Sequence, residues 1–187
     1  MKNMDGLNFK VCCFTGHRPQ KLSFGADEEN PLCFRLKEEL QKEICQKINN
    51  GCFSFITGMA MGADIWCAEI VLACKQTYAD IPVALTAIIP FSSQPNSFPL
   101  SYMRRYAEIL KKADNIVTIA EKYVPGCMHK RNKYMVDHAD CMIAVSNGAA
   151  GGTQDTLGMA KKKGLDIVLF HPDTSYRVHI PSQLRFD

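Results

Sequence analysis

Short apolar runs alternate with amphipathic segments from one end of the chain to the other. The runs Phe9–Phe14, Phe53–Thr57, Pro82–Ile89, Asn115–Ala120, Cys141–Val145 and Ile167–Phe170 are near-continuous in apolar residues rather than alternating. That pattern predicts parallel strands covered on both faces. Between them the period lengthens to that of a helix. Leu36, Leu40, Ile44 and Ile48 form one stripe, with Lys37, Glu38, Glu39, Lys42 and Glu43 opposite, and Gly51 is placed to end that helix. The Glu38–Lys42 and Glu43–Lys47 pairs have the favourable order. Ala60 to Tyr78 is apolar nearly all round, which predicts a buried helix. Tyr102, Tyr106, Ile109 and Leu110 mark a third helix ending near Ala113. Met128, Arg131, Met135 and Val136 mark a fourth, and Thr153 to Lys163 a fifth, with Gly164 past its end. The alternation predicts an α/β fold, Rossmann-like and doubly wound, with a mainly parallel sheet of about six strands and helices on both faces. The segment after His171 has too little pattern to assign.

Composition changes this picture little. A chain of 187 residues without a composition break or repeat reads as a single domain over 1–187. A net charge of +3 argues neither for a nucleic-acid groove nor for a membrane surface. The N-terminal Met1-Lys-Asn-Met-Asp-Gly6 has no apolar core, and the run Ile81–Pro90 is too short to span a bilayer. No membrane partner is expected, and the compartment reads as cytoplasmic. The nine cysteines include no C-x-x-C pair, so reduced, packed thiols are expected. Adjacent Cys12 and Cys13 should face opposite sides of the sheet. Cys127, at a helix start, is also read as packing. The histidines have no metal-ligand spacing, and no metal or cofactor is expected.

Chemistry concentrates where strands should end in glycine. Thr15-Gly-His-Arg-Pro19, Thr57-Gly-Met-Ala-Met-Gly-Ala-Asp64 and Gly148-Ala-Ala-Gly-Gly-Thr153 each join a strand to a following segment. Glycine lets the backbone turn and approach a ligand, and the next helix offers unpaired N–H groups to an anion. The expected ligand-binding set is Thr15, Gly16, His17, Arg18, Gly58, Asp64, Arg131, Asn132, Gly151, Gly152, Thr153 and Thr156. Thr153 could both cap its helix and meet a phosphate. Arg131 falls on the apolar stripe of its helix, so it points inward and needs an anionic partner. Asp64 reads equally as a bond acceptor for loop N–H groups. Glu69 and Asp155 are the weak candidates for a catalytic carboxylate, although Glu69 more readily pairs with an arginine. Removal of Arg18 or Arg131 is expected to weaken ligand binding and spare stability.

Taken with Pro125-Gly-Cys-Met-His-Lys-Arg-Asn-Lys-Tyr-Met-Val-Asp-His-Ala-Asp140, these motifs resemble, in order and over about Val11 to Phe170, the YpsA-type family of unknown function in the SLOG superfamily. That superfamily also holds DNA-processing protein A and the LOG enzymes. The resemblance implies a Rossmann-like pocket for a nucleotide or nucleotide derivative, in a ligand sensor or an enzyme of unidentified reaction. It also leaves room for a homo-oligomer. LOG enzymes cleave the N-glycosidic bond of nucleoside 5′-monophosphates, which gives an alternative function as a phosphoribohydrolase. Arg131 matches their arginine, Asn132 stands where lysine is common, and Gly152-Thr153 matches their G-T pair. Thr156 then takes the place of the catalytic glutamate, and a threonine cannot put negative charge beside an oxocarbenium-like transition state. A second alternative is a single-stranded DNA-binding accessory protein like DNA-processing protein A, whose G-S-R and R-N-R resemble Gly16-His17-Arg18 and Arg131-Asn132-Lys133. With no basic groove or aromatic platform evident, nucleic acid ranks below a small nucleotide.

Overall fold

The computed structural model describes residues 10–182. Phe9, the expected first residue of the first strand, and Met1–Gly6 lie outside them. Among the described residues seven strands form one sheet: β1 (Lys10–Gly16), β2 (Cys52–Thr57), β3 (Ala84–Ile89), β4 (Asn115–Thr118), β5 (Cys141–Val145), β6 (Asp166–Phe170) and β7 (Arg177–Ile180). Their order across the sheet is β4-β3-β2-β1-β5-β6-β7. β1 to β6 are parallel, and β7 runs antiparallel to β6 along one edge. The fold is α/β and Rossmann-like. β7 is absent from the sequence reading because Arg177, Val178 and His179 are all exposed, so no apolar run marks this edge strand.

Among the described residues five α-helices cover the faces: α1 (Pro31–Asn49), α2 (Ala63–Thr77), α3 (Leu100–Lys112), α4 (Cys127–Asp137) and α5 (Gly152–Lys163). Asn30 caps α1, its side chain accepting from the Leu32 N–H at 3.0 Å, and Pro31 supplies the fixed φ of a first helical residue. Gly51, at φ 85°, turns the chain away after α1. The stripe Leu36, Leu40, Ile44 and Ile48 is buried as expected. Lys42 pairs with Glu39 rather than Glu38, whereas Lys47 meets Glu43 at 3.9 Å as expected and also reaches beyond its own helix to Asp166 at 2.9 Å. α2 begins at Ala63, three residues later than expected, because Gly62 at φ 89° holds the chain in a turn before it.

Two apolar layers sandwich the sheet. α1, α2 and α3 pack over Cys12, Phe14, Phe55 and Leu85 on one face. α4 and α5 pack over Cys13, Ile56, Met142 and Ala144 on the other. Cys12 and Cys13 thus divide between the faces, as the alternation of a strand requires. All nine cysteines are free thiols. Burial lifts the Cys13 thiol well above its ordinary value. No helix among the described residues is long and apolar enough to cross a membrane.

The consequence for function lies in the strand order. The chain winds outward from β1 to β4 on one side, then returns to lay β5 against the other edge of β1. Connections from β1 and β5 therefore leave the sheet in different directions, which opens a crevice above their C-terminal ends.

Candidate functional site

That crevice is a cavity of about 270 Å³, lined by residues from the β1 loop, the start of α2, the start of α4 and the start of α5. The β1 loop contributes Thr15, Gly16, His17, Arg18 and Lys21, α2 contributes Asp64, α4 contributes Arg131 and Asn132, and α5 contributes Gly152 and Thr153. Close approach of backbones makes the site. Side-chain room at Gly16 is already taken by the Cβ of Ala63, and the Cβ of Val145 would lie 3.1 Å away. Only glycine lets β1 pass this near α2.

The β1 and β5 loops are cross-braced. The His17 N–H donates to the Val145 carbonyl at 3.1 Å, and Lys21 Nζ donates to the Ala150 carbonyl. His17 Nε2 lies 2.7 Å from Asn147 Oδ1. The same Oδ1 accepts from the Ala149 N–H at 3.0 Å, and Nε2 also lies 3.2 Å from the Asn147 backbone nitrogen and 3.3 Å from Ser146 Oγ. His17 Nδ1 is buried without a hydrogen-bond partner among the described residues. Burial lowers the pKa of His17, neighbouring Lys21 and His171 add to the effect, and the Asn147 bond opposes it. His17 is therefore a neutral imidazole at pH 7.

Arg131 and Asp64 form the floor. Arg131 Nη1 donates to Asp64 Oδ2 at 3.3 Å and to the Gly58 carbonyl. Each residue is 5% exposed. A side chain at Gly58 would occupy the place of the guanidinium, which explains the glycine there. Burial raises the Asp64 carboxyl, partly offset by Arg131 and by the Ala60 N–H that it accepts at 3.3 Å. Arg131 stays charged, since burial cannot bring a guanidinium into the working pH range. Its Nε is buried without a hydrogen-bond partner among the described residues. The sequence reading of Arg131 as a freely removable anchor changes here, because it is also half of a buried ion pair.

Gly151, Thr156, Glu69 and Asp155 fall outside the cavity. Gly151 is the N-cap of α5 at φ 130°, and a side chain there would come within 2.7 Å of Lys21 Nζ. Thr153 does not cap its helix; it is the second helical residue and lines the cavity, so α5 begins with no side-chain cap. Thr156 is buried and returns its hydroxyl to the Gly152 carbonyl at 2.6 Å. Glu69 is held by Arg105 through bonds of 2.7 and 2.6 Å on the outer side of α2. Asp155 is exposed on an adjoining groove. Lys21, absent from the expected set, lies in the short 3₁₀ turn Pro19–Lys21 after the first motif. Its signal was its spacing from Arg18, which a single turn brings onto the same loop.

Charge in the cavity is uneven. Arg18, Lys21 and Arg131 stand against the single carboxylate of Asp64. The N-terminus of α5 adds its partial positive charge. The cavity can hold an anion, and it brings no carboxylate free of a cation to a reacting centre. Among the described residues there is also no cluster of His, Cys, Asp and Glu able to hold a metal ion.

Residues 12–167 match the model of the YspA SLOG family, also written YpsA. The chain belongs to that family. It is 31% identical to the uncharacterized SPbeta prophage-derived protein YoqJ of Bacillus subtilis, over 81% of this chain and 96% of that protein. It is 25% identical to a UPF0398 protein of Halalkalibacterium halodurans, over 82% of each chain. In solved structures it is similar to DNA processing protein A from Helicobacter pylori, described for its single-stranded DNA binding mode. That match has a TM-score of 0.57 and 16% identity, covering 94% of this chain and 68% of the other. Such a likeness establishes a shared fold for this YpsA family member.

Proposed function

We propose that this YpsA family protein binds a phosphorylated nucleotide or nucleotide derivative in the cavity above β1 and β5. The observation that carries the reading is the convergence of Arg18, Lys21 and Arg131, against one carboxylate, on the uncapped start of α5. Phosphate suits such a place because backbone donors, a helix dipole and guanidinium groups all favour it. Supporting it further, the cavity sits at the reversal of strand order, where open α/β sheets take their ligands.

The phosphoribohydrolase reading gains little support. Thr156 holds its hydroxyl against its own helix, Glu69 is committed to Arg105, and Asp64 to Arg131. Single-stranded DNA is a second reading, motivated by the fold shared with DNA processing protein A.

Calorimetric titration with AMP, ADP and a dT oligonucleotide at low and high salt separates the readings. Mononucleotide binding that drops tenfold or more in the double variant Arg18→Ala/Lys21→Ala is the expected result (about 1.4 kcal/mol). Binding of the oligonucleotide alone, falling steeply with salt, would favour the DNA reading. Unchanged mononucleotide binding in the double variant would place the ligand elsewhere.

A further inference from the structure

Beside the cationic cavity lies a second one, of about 280 Å³, lined by Tyr123, His129 and Asp155 among others. The two share Met128, Asn132 and Gly152. Gly152 forms the saddle between them. A side chain there would have no atom nearer than Asn132 Nδ2 at 4.0 Å, so the passage is open.

The two compartments differ in chemistry. The first gathers cations, whereas the second has the exposed carboxylate of Asp155 on one wall. Tyr123, on the other wall, is 64% exposed. Its ring is held by the ring of Phe91 in a T-shaped contact, 5.4 Å between centroids and 85° between planes. An aromatic ring braced by a neighbour while staying largely open to solvent is a ready stacking surface. A carboxylate repels phosphate and accepts hydrogen bonds from hydroxyl groups.

We infer that the second compartment takes the ribose and base of a ribonucleoside 5′-phosphate whose phosphate sits in the first. Asp155 accepts from the ribose hydroxyls, Tyr123 stacks on the base, and Gly152 lets the ligand cross from one compartment to the other. This rests on the phosphate reading of the first cavity and adds a polarity to it. It also sets the ligand apart from DNA, which lacks the 2′-hydroxyl and would have to carry a further phosphate past Asp155.

The test compares four probes by calorimetry: AMP, 2′-deoxy-AMP, adenosine and inorganic phosphate. Wild-type protein is expected to bind AMP more tightly than 2′-deoxy-AMP or inorganic phosphate. Tyr123→Ala should weaken AMP about fivefold or more and leave inorganic phosphate unchanged. Asp155→Ala should abolish the preference for AMP over 2′-deoxy-AMP. Both residues are exposed, so thermal midpoints should stay at the wild-type value. If AMP binds but neither substitution changes its affinity relative to phosphate, the second compartment is not the nucleoside site, while the phosphate site stands. If neither AMP nor phosphate binds the wild-type protein, both readings fall.

Discussion

Asp64 on α2 and Arg131 on α4 meet at 3.3 Å across the C-terminal edge of the sheet, both almost wholly buried. The pair joins the helix layers of opposite faces beneath the cavity. Asp64→Asn is expected to destabilise the protein by about 3 kcal/mol, because it strands a buried guanidinium charge. The double variant Asp64→Leu/Arg131→Met should recover much of that loss while remaining unable to bind a phosphorylated ligand. Urea unfolding of the two variants, with titration by AMP, checks both statements.

Gly16 tests whether the cavity depends on close backbone approach. The Cβ atoms of Ala63 and Val145 that face it are rigidly attached to α2 and β5, so neither can swing aside. Gly16→Ala should cost about 1–3 kcal/mol by overpacking and push the two elements apart. A midpoint in urea equal to that of wild type would show that the contact is slack.

His17 should give stability a shallow dependence on pH near neutrality. Its folded pKa lies below the ordinary 6.5, so the folded state binds fewer protons than the unfolded chain in that range. Stability is then full above pH 6.5 and declines as pH falls below it, until the folded imidazole also protonates. His17→Gln should flatten this slope. Urea midpoints measured in steps from pH 5 to 8 provide the check.

Glu28 should dominate the acid limb at lower pH. It is partly buried, which alone would raise its pKa, yet bonds from Arg105, Lys37 and Trp66 outweigh this and bring it down to about 2 from 4.5. The Trp66 indole and the Tyr102 hydroxyl donate to it at 2.8 and 2.9 Å, and Arg105 Nη1 at 2.6 Å. A lowered carboxylate pKa contributes stability that is fully present above 4.5 and is lost as pH falls toward 2. The contribution is on the order of 2–3 kcal/mol, reduced from the full shift because Glu28 keeps some contact with water. Glu28→Gln should remove it and loosen the segment between β1 and α1. Acid unfolding followed by circular dichroism would reveal it, and an unchanged acid limb would count against it.

The residues show why some of this could be read in advance. Arg131 sits on an apolar stripe, so its inward direction and need for an acid follow from helical period alone. Its partner could not be read the same way, since Asp64 is 67 positions away on a helix of the other layer. Glu69 invited a catalytic role, but Arg105 on α3 claims both its oxygens. Thr153 looked like a cap, yet Gly151 at φ 130° takes that position and moves Thr153 inside the helix. Lys21 and Asn147 escaped notice because loop residues carry no periodic signal. Only the pairing of β1 with β5 brings their loops together.

What the sequence by itself determined is the alternation of buried strands and covering helices, the glycine-ended junctions and the family to which they belong. Those follow from local period and from the few conformations that only glycine tolerates. Tertiary structure alone decided which junctions share a cavity, which carboxylates are already spent on cations, and that a second compartment opens across Gly152. Such facts depend on strand order and on contacts between distant segments. No local rule of hydropathy or backbone geometry contains them.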